Sequence, residues 1–188
     1  MKTIKLFAAI ACGLLAAPFL TAQQPAAKPA PKSPPAQATF SVDGKAITID
    51  YSSPRVRGRE GKIFGKDGLI ATGDASTYPV WRAGANGATT FTTAIELKAG
   101  DTTIPAGKYT LWVDIGDADH WVLIINKQTG QWGRTYDKAQ DLARIPMKME
   151  KSKKLTENLT YTLEKERGGV ELSLQWEFVE GSVQFAVK

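Results

Sequence analysis

From residue 158 to residue 187 the side chains alternate with a period of two, and this regularity limits the fold more than any other feature of the chain. Leu159, Tyr161 and Leu163 alternate with Asn158, Thr160, Thr162 and Glu164. After Gly168-Gly169, Val170, Leu172, Leu174, Trp176 and Phe178 alternate with Glu171, Ser173, Gln175 and Glu177. A helix would scatter both sets around its circumference, whereas a half-buried strand puts each on one face. The glycine pair supplies the turn, so the two runs predict an antiparallel hairpin. Gly181-Ser182 then starts a last strand with Val183, Phe185 and Val187 facing inward.

The same alternation recurs upstream. Ile47, Ile49 and Tyr51 follow an Asp43-Gly44 turn; Phe91, Thr93, Ile95 and Leu97 form a middle strand; Tyr109, Leu111, Val113 and Ile115 form another. Residues 120–126 are apolar on both faces, as in a central strand covered on both sides. Only residues 137–143 hint at a helical turn. Short strands separated by turn residues predict an all-β fold, an antiparallel β-sandwich or jelly-roll-like barrel, in a single domain over residues 39–188.

Two segments precede that domain. Met1-Lys2-Thr3-Ile4-Lys5, an apolar run to Leu20 and Thr21-Ala22 have the order of a secretory signal, so residues 1–22 are read as a signal peptide cut after Ala22. The apolar run is shorter than the roughly 20 residues of a membrane span, and the mature chain is expected to have no integral span. Cys12 leaves with the signal, so neither disulfides nor thiolate chemistry is expected afterwards. Residues 23–38 carry Pro25, Pro29, Pro31, Pro34 and Pro35 and almost no large apolar side chain, which predicts a disordered, extended linker. The protein is then exported, either periplasmic or secreted. Removing Lys2 and Lys5 lowers the formal charge from +5 to +3, too little to make nucleic acid a partner.

Between residues 51 and 187 the chain carries a set of short motifs: Ser53-Pro54, Gly58-Arg59, Ile63-Phe64-Gly65, Trp81-Arg82-Ala83-Gly84-Ala85-Asn86, Ala88-Thr89, Pro105-Ala106-Gly107-Lys108-Tyr109-Thr110-Leu111, Asn126-Lys127, Trp132-Gly133, Tyr136-Asp137, Asp141, Arg144 and Leu174-Gln175-Trp176-Glu177. In this order and spacing they resemble the bacterial family called domain of unknown function 2911. The resemblance implies an exported, β-rich domain and carries over no activity, cofactor or catalytic residue. Members often have a glutamate just after the asparagine; this chain has Gly87 there.

The candidate ligand-binding residues are Arg59, Arg82, Asn86, Trp112, Trp132, Asp141 and Arg144. A cluster of guanidinium groups binds a carboxylate or sulfate bidentately, or else orders loops by pairing with Asp141, Glu177 or backbone carbonyls. Trp112 has the strand parity of Lys108, Thr110 and Asp114, which suits a sugar ring packing on its face or a second layer of core. Trp121 and Trp176 follow apolar parity and belong to the core. A lone histidine, His120, rules out the usual zinc sets, and Asp114, Asp117 and Asp119 lack the spacing of a calcium loop. No nucleophile and base pair is visible, so no catalytic residue, metal or cofactor is expected.

Three functions remain open. The first is a noncatalytic module that binds a polar ligand, a glycan or a small anion. The second is an assembly module that docks an envelope protein. The third is a carbohydrate-active hydrolase, which would need facing carboxyl groups, with Asp50, Asp141 and Glu177 as candidates.

Overall fold

A computed structural model describes residues 30–73 and 76–187. Residues 1–22, expected to be a signal peptide, and residues 23–29 of the expected linker lie outside the described residues. Strand β1 (Pro35–Val42) already begins inside the segment read as linker, and residues 35–38 pair with β2 (Lys45–Ser52). Proline is tolerated there because it opens an edge strand and owes the ladder no N–H. The two strands turn at Asp43-Gly44, both with positive φ (48° and 76°), the backbone that an Asp-Gly hairpin turn needs.

Five further strands complete the first sheet: β3 (Val80–Trp81), β4 (Thr89–Thr93), β7 (Gly107–Asp114), β8 (Val122–Asn126) and β9 (Asp141–Pro146). Their order is β1-β2-β4-β7-β8-β9, with β3 also on β7. The second sheet has the order β10-β11-β5-β6, from β10 (Lys148–Glu166), β11 (Gly169–Val187), β5 (Leu97–Ala99) and β6 (Thr102–Ile104). All pairings are antiparallel. The two sheets close over one core, where Phe91 meets Phe185 (ring centroids 6.2 Å apart) and Tyr51 meets Tyr161 (4.9 Å). The fold is therefore an all-β sandwich with no closed barrel among the described residues.

The structure departs from the period-two reading in three places. Residues 91–97 are not one strand: β4 ends at Thr93, and Leu97 joins the other sheet in β5. Alternation reports which face a residue takes, not which sheet carries it. The last strand does not start at Gly181, because β11 runs unbroken to Val187. Its irregularity lies at Glu177, whose φ of 59° resets the parity, so Glu177 is buried and Phe178 is 39% exposed rather than inward-facing. His120 is exposed in the turn before β8.

One break in the sheet creates the site. Trp81 pairs with Val113 and Thr89 with Leu111, so residues 82–88 stand opposite Trp112 alone and are extruded as a loop. On the outer face of the same sheet Val80, Trp112 and Ile124 form a second small core, with Ala88 and Tyr136 packed against it. β7 and β8 are thus covered on both faces, as the apolar run over 122–126 requires. The 3-10 turn Lys138–Gln140, capped by Asp137 accepting from the Ala139 N–H (2.9 Å), is the one helical feature legible in the sequence. The single turn α1 (Leu69–Thr72) is not.

Candidate functional site

The segment after β2 zips onto β10. Ser53 Oγ donates to the Leu159 carbonyl (2.7 Å), the Leu159 N–H to the Pro54 carbonyl (2.9 Å) and the Val56 N–H to the Glu157 carbonyl (2.8 Å). Val56 is fully buried, so its neighbours Arg55 and Arg57 turn outward, and Arg59 follows. The Arg59 guanidinium donates to the carbonyls of Val56 (2.8 Å) and Arg55 (2.6 Å). The buried Glu177 carboxylate accepts from the Gly61 N–H and pins the end of this loop.

The extruded loop faces it. Trp81 Nε1 donates to the Gly84 carbonyl (3.2 Å), and the Tyr161 hydroxyl and Thr89 Oγ1 both donate to the Ala83 carbonyl (2.9 Å each). Arg82 donates to the Asn86 carbonyl (3.2 Å), as does the Gly133 N–H (3.2 Å). A Cβ on Gly133 would lie 2.3 Å from Arg82 Cδ, so glycine is required for the two loops to lie together. Asn86 Nδ2 donates to Ser52 Oγ (3.3 Å).

Between these walls lies a cleft of about 480 Å³. Six cations line it: Lys32, Arg55, Arg57, Arg59, Arg82 and Arg134. No carboxylate is among the described lining residues. Trp81, Trp176, Leu69 and Ile70 supply its apolar surface. Lys32, Arg55, Arg57, Arg59 and Arg134 form no ion pair among the described residues. Burial, and then the positive charge of Arg134, lower the pKa of Arg82 from its ordinary value. Backbone geometry marks the same place: of five non-glycine residues at positive φ among the described residues, Arg57 (53°) and Asn86 (61°) line the cleft, and Ala83 (53°) and Glu177 (59°) adjoin lining residues. Such conformations cost of order 1–3 kcal/mol each and gather where a site is held in shape.

A family model matches residues 33–185, most of the chain and both walls of the cleft. The chain belongs to the family described as Protein of unknown function (DUF2911). Comparison with curated proteins and with solved structures finds no match in either set.

Not all the motif residues of this DUF2911 domain meet in the cleft. Arg59, Arg82 and Asn86 do. Trp132 sits at its edge, bridged through its backbone to Gly87. Asp141 and Arg144 lie elsewhere, in a network over the outer face of the first sheet. Asn126 Nδ2 donates to Asp141 Oδ1 (2.9 Å) and the Tyr136 hydroxyl to Oδ2 (2.7 Å). Arg144 donates to Asp141 Oδ2 (3.1 Å) and to Asp114 Oδ2 (2.8 Å). Burial, reinforced by the Asp141 carboxylate, pushes the Tyr136 hydroxyl far above its ordinary pKa. Every charge here has a partner, so the network braces residues 127–140 over Trp112. Trp112 itself is fully buried, its Nε1 donating to Thr110 Oγ1 (3.1 Å), and it offers no face to a sugar.

The carboxylates of a hydrolase do not converge. Asp50 accepts from Gln37 on β1 (2.6 Å), Asp141 belongs to the outer network, and Glu177 holds Gly61. Asp50 on β2 and Asp141 on β9 are four strand positions apart in their sheet, about 19 Å at the usual spacing. Among the described residues no group of three or more His, Cys, Asp or Glu could hold a metal ion, and no helix is long and apolar enough to cross a membrane.

The sequence reading missed Lys32, Arg55, Arg57, Arg134 and Trp176 as lining residues. A signal for three of the cations was present: Arg55, Arg57 and Arg59 recur at every second position around the apolar Val56.

Proposed function

We propose that this domain is a noncatalytic, exported binding module whose cleft takes an anionic polar ligand. The observation that carries this reading is the convergence of six cations from four separate segments, 32, 55–59, 82 and 134, with no carboxylate among the described residues lining the space. Lys32, Arg55, Arg57, Arg59 and Arg134 form no ion pair among the described residues, so their mutual repulsion raises the free energy of the empty cleft and is relieved when an anion enters. A guanidinium about 6 Å from an anion contributes about 1–3 kcal/mol at the effective dielectric of a partly open cleft. Arginine also suits the planar, two-oxygen face of carboxylate, sulfate and phosphate. Polar loops positioned on a rigid sandwich supply the rest.

Calorimetric titration of the purified protein with glucuronate, sulfate and phosphate at low salt tests the reading. Saturable binding that weakens with salt is expected, about tenfold weaker in Arg57→Gln and in Arg134→Gln, with neutral glucose giving no heat. Absence of saturable binding by any of the three anions, or binding unchanged in the Arg57→Gln/Arg134→Gln double variant, would overturn it.

A further inference from the structure

Four of the five tryptophans are at most 4% exposed; Trp132 is 56% exposed. An isolated apolar side chain in water is common and by itself means nothing. Trp132, however, is fastened to the rim of the arginine cleft. Its backbone bridges Gly87, the Ala88 N–H donates to the Gln131 carbonyl (3.3 Å) and the Gly133 N–H to the Asn86 carbonyl (3.2 Å). Asn86 and Arg134 both line the cleft. Two Cα steps separate Trp132 from Arg134, a distance of at most about 7.6 Å. Gly87 lies across the backbone bridge from Trp132 and Gly133 follows it in the chain, and a Cβ placed on Gly87 would meet nothing within 4 Å. The result is one exposed, flat aromatic side chain on a backbone held at two points, with open space at Gly87 across the bridge, two residues along the chain from a cation of the anion site.

We propose that the ligand is an acidic oligosaccharide, with a carboxylated or sulfated unit in the arginine cleft and the neighbouring unit stacked on Trp132. The inference rests on the anion-binding reading above and adds a second subsite to it. A sugar ring presents an apolar C–H face that packs on the indole and a rim of hydroxyls that suits Asn86, whereas a free small anion would use the cleft and ignore Trp132. The residues next to Trp132 in the chain or tied to this segment through the backbone, Asn86, Gly87, Gln131, Gly133 and Thr135, are small or polar. A protein partner anchored by apolar side chains would need a wider apolar patch than this.

Galacturonic acid and its linear trimer distinguish the two subsites when titrated into the purified protein. The trimer is expected to bind at least tenfold more tightly than the monomer. Trp132→Ala brings the trimer down to the monomer's affinity and leaves the monomer unchanged; Trp132→Phe restores part of the difference. A trimer no tighter than the monomer, or one that Trp132→Ala does not weaken, overturns the saccharide subsite. If Arg134→Gln still weakens both ligands in that case, the anion cleft stands alone. Binding of sulfate or of a hexaglutamate peptide, with neither saccharide bound, also overturns the inference while leaving the cleft. No binding by any of these anions removes both.

Discussion

Replacing Trp112 with alanine separates a core residue from a ligand residue. The indole is fully buried between Val80, Ile124 and the Tyr136 ring, whose centroid lies 5.2 Å away, and it donates to Thr110 Oγ1. A tryptophan buries about 150–250 Å², which at about 25 cal/mol per Å² is roughly 4–6 kcal/mol. Large-to-small replacements of buried tryptophan cost about 3–5 kcal/mol, so the two routes meet near 4 kcal/mol. The cavity would open under residues 127–140, which lie over the outer face, and the cleft would keep its six cations. Urea unfolding should therefore show the midpoint falling with an unchanged slope, corresponding to a loss of about 4 kcal/mol, while anion affinity measured well below the midpoint stays within about twofold. A loss under about 1 kcal/mol, or an intact fold that no longer binds the anion, would refute the assignment of Trp112 to the second core.

Three further outcomes follow from the geometry. Glu177→Ala removes the charged acceptor of the Gly61 N–H; a loss of about 1–3 kcal/mol is expected, with faster amide exchange over residues 57–62 and weaker anion binding because that loop carries Arg57 and Arg59. Gly133→Ala places a Cβ 2.3 Å from Arg82 Cδ and 2.7 Å from the Asn86 carbonyl, so titration should show weaker anion binding and thermal unfolding a loss of about 1–3 kcal/mol. Burial, and then the neighbouring Tyr51, raise the Tyr161 hydroxyl well above its ordinary pKa. The folded state therefore keeps a proton that the unfolded chain loses above about pH 10, and stability falls by roughly 1.4 kcal/mol per pH unit beyond that point. Urea unfolding of Tyr161→Phe between pH 9 and 11.5 should show a shallower alkaline decline than the wild type, and equal slopes would count against the burial argument.

Much of the sandwich was legible because its strands are half-buried, and half-burial writes a period of two into the chain. The hairpin around Gly168 and the Asp43-Gly44 turn were read directly in this way. The signal fails where backbone conformation changes parity without changing composition. Glu177 looks like one more solvent-facing acid, yet its left-handed backbone turns it inward and Phe178 outward. Residues 91–97 alternate without a flaw across a crossover between sheets. The candidate residues divided for a related reason: a recurring polar motif marks a place held fixed, and both a cleft and a brace need that. Arg59 and Arg144 look alike in sequence, but Arg144 has Asp114 and Asp141 within 3.1 Å, whereas Arg59 lines the cleft and forms no ion pair among the described residues. Spacing along the chain does not reveal which charges will meet.

The first described residues are held by the cleft before they are held by the sheet. Lys32 and Ser33 form part of the cleft wall; the Lys32 carbonyl accepts from the Arg57 guanidinium (3.4 Å) and the Pro34 carbonyl from the Ser53 N–H (2.8 Å). Only beyond them does β1 enter the sheet. Tension applied at residue 30 therefore reaches these few contacts before it reaches any strand, and a modest pull would peel away one wall of the cleft while the sandwich stays whole. A ligand that bridges Lys32 and the opposite wall would resist that peeling, so occupancy of the cleft and the force needed to detach residues 30–34 are coupled through the same residues.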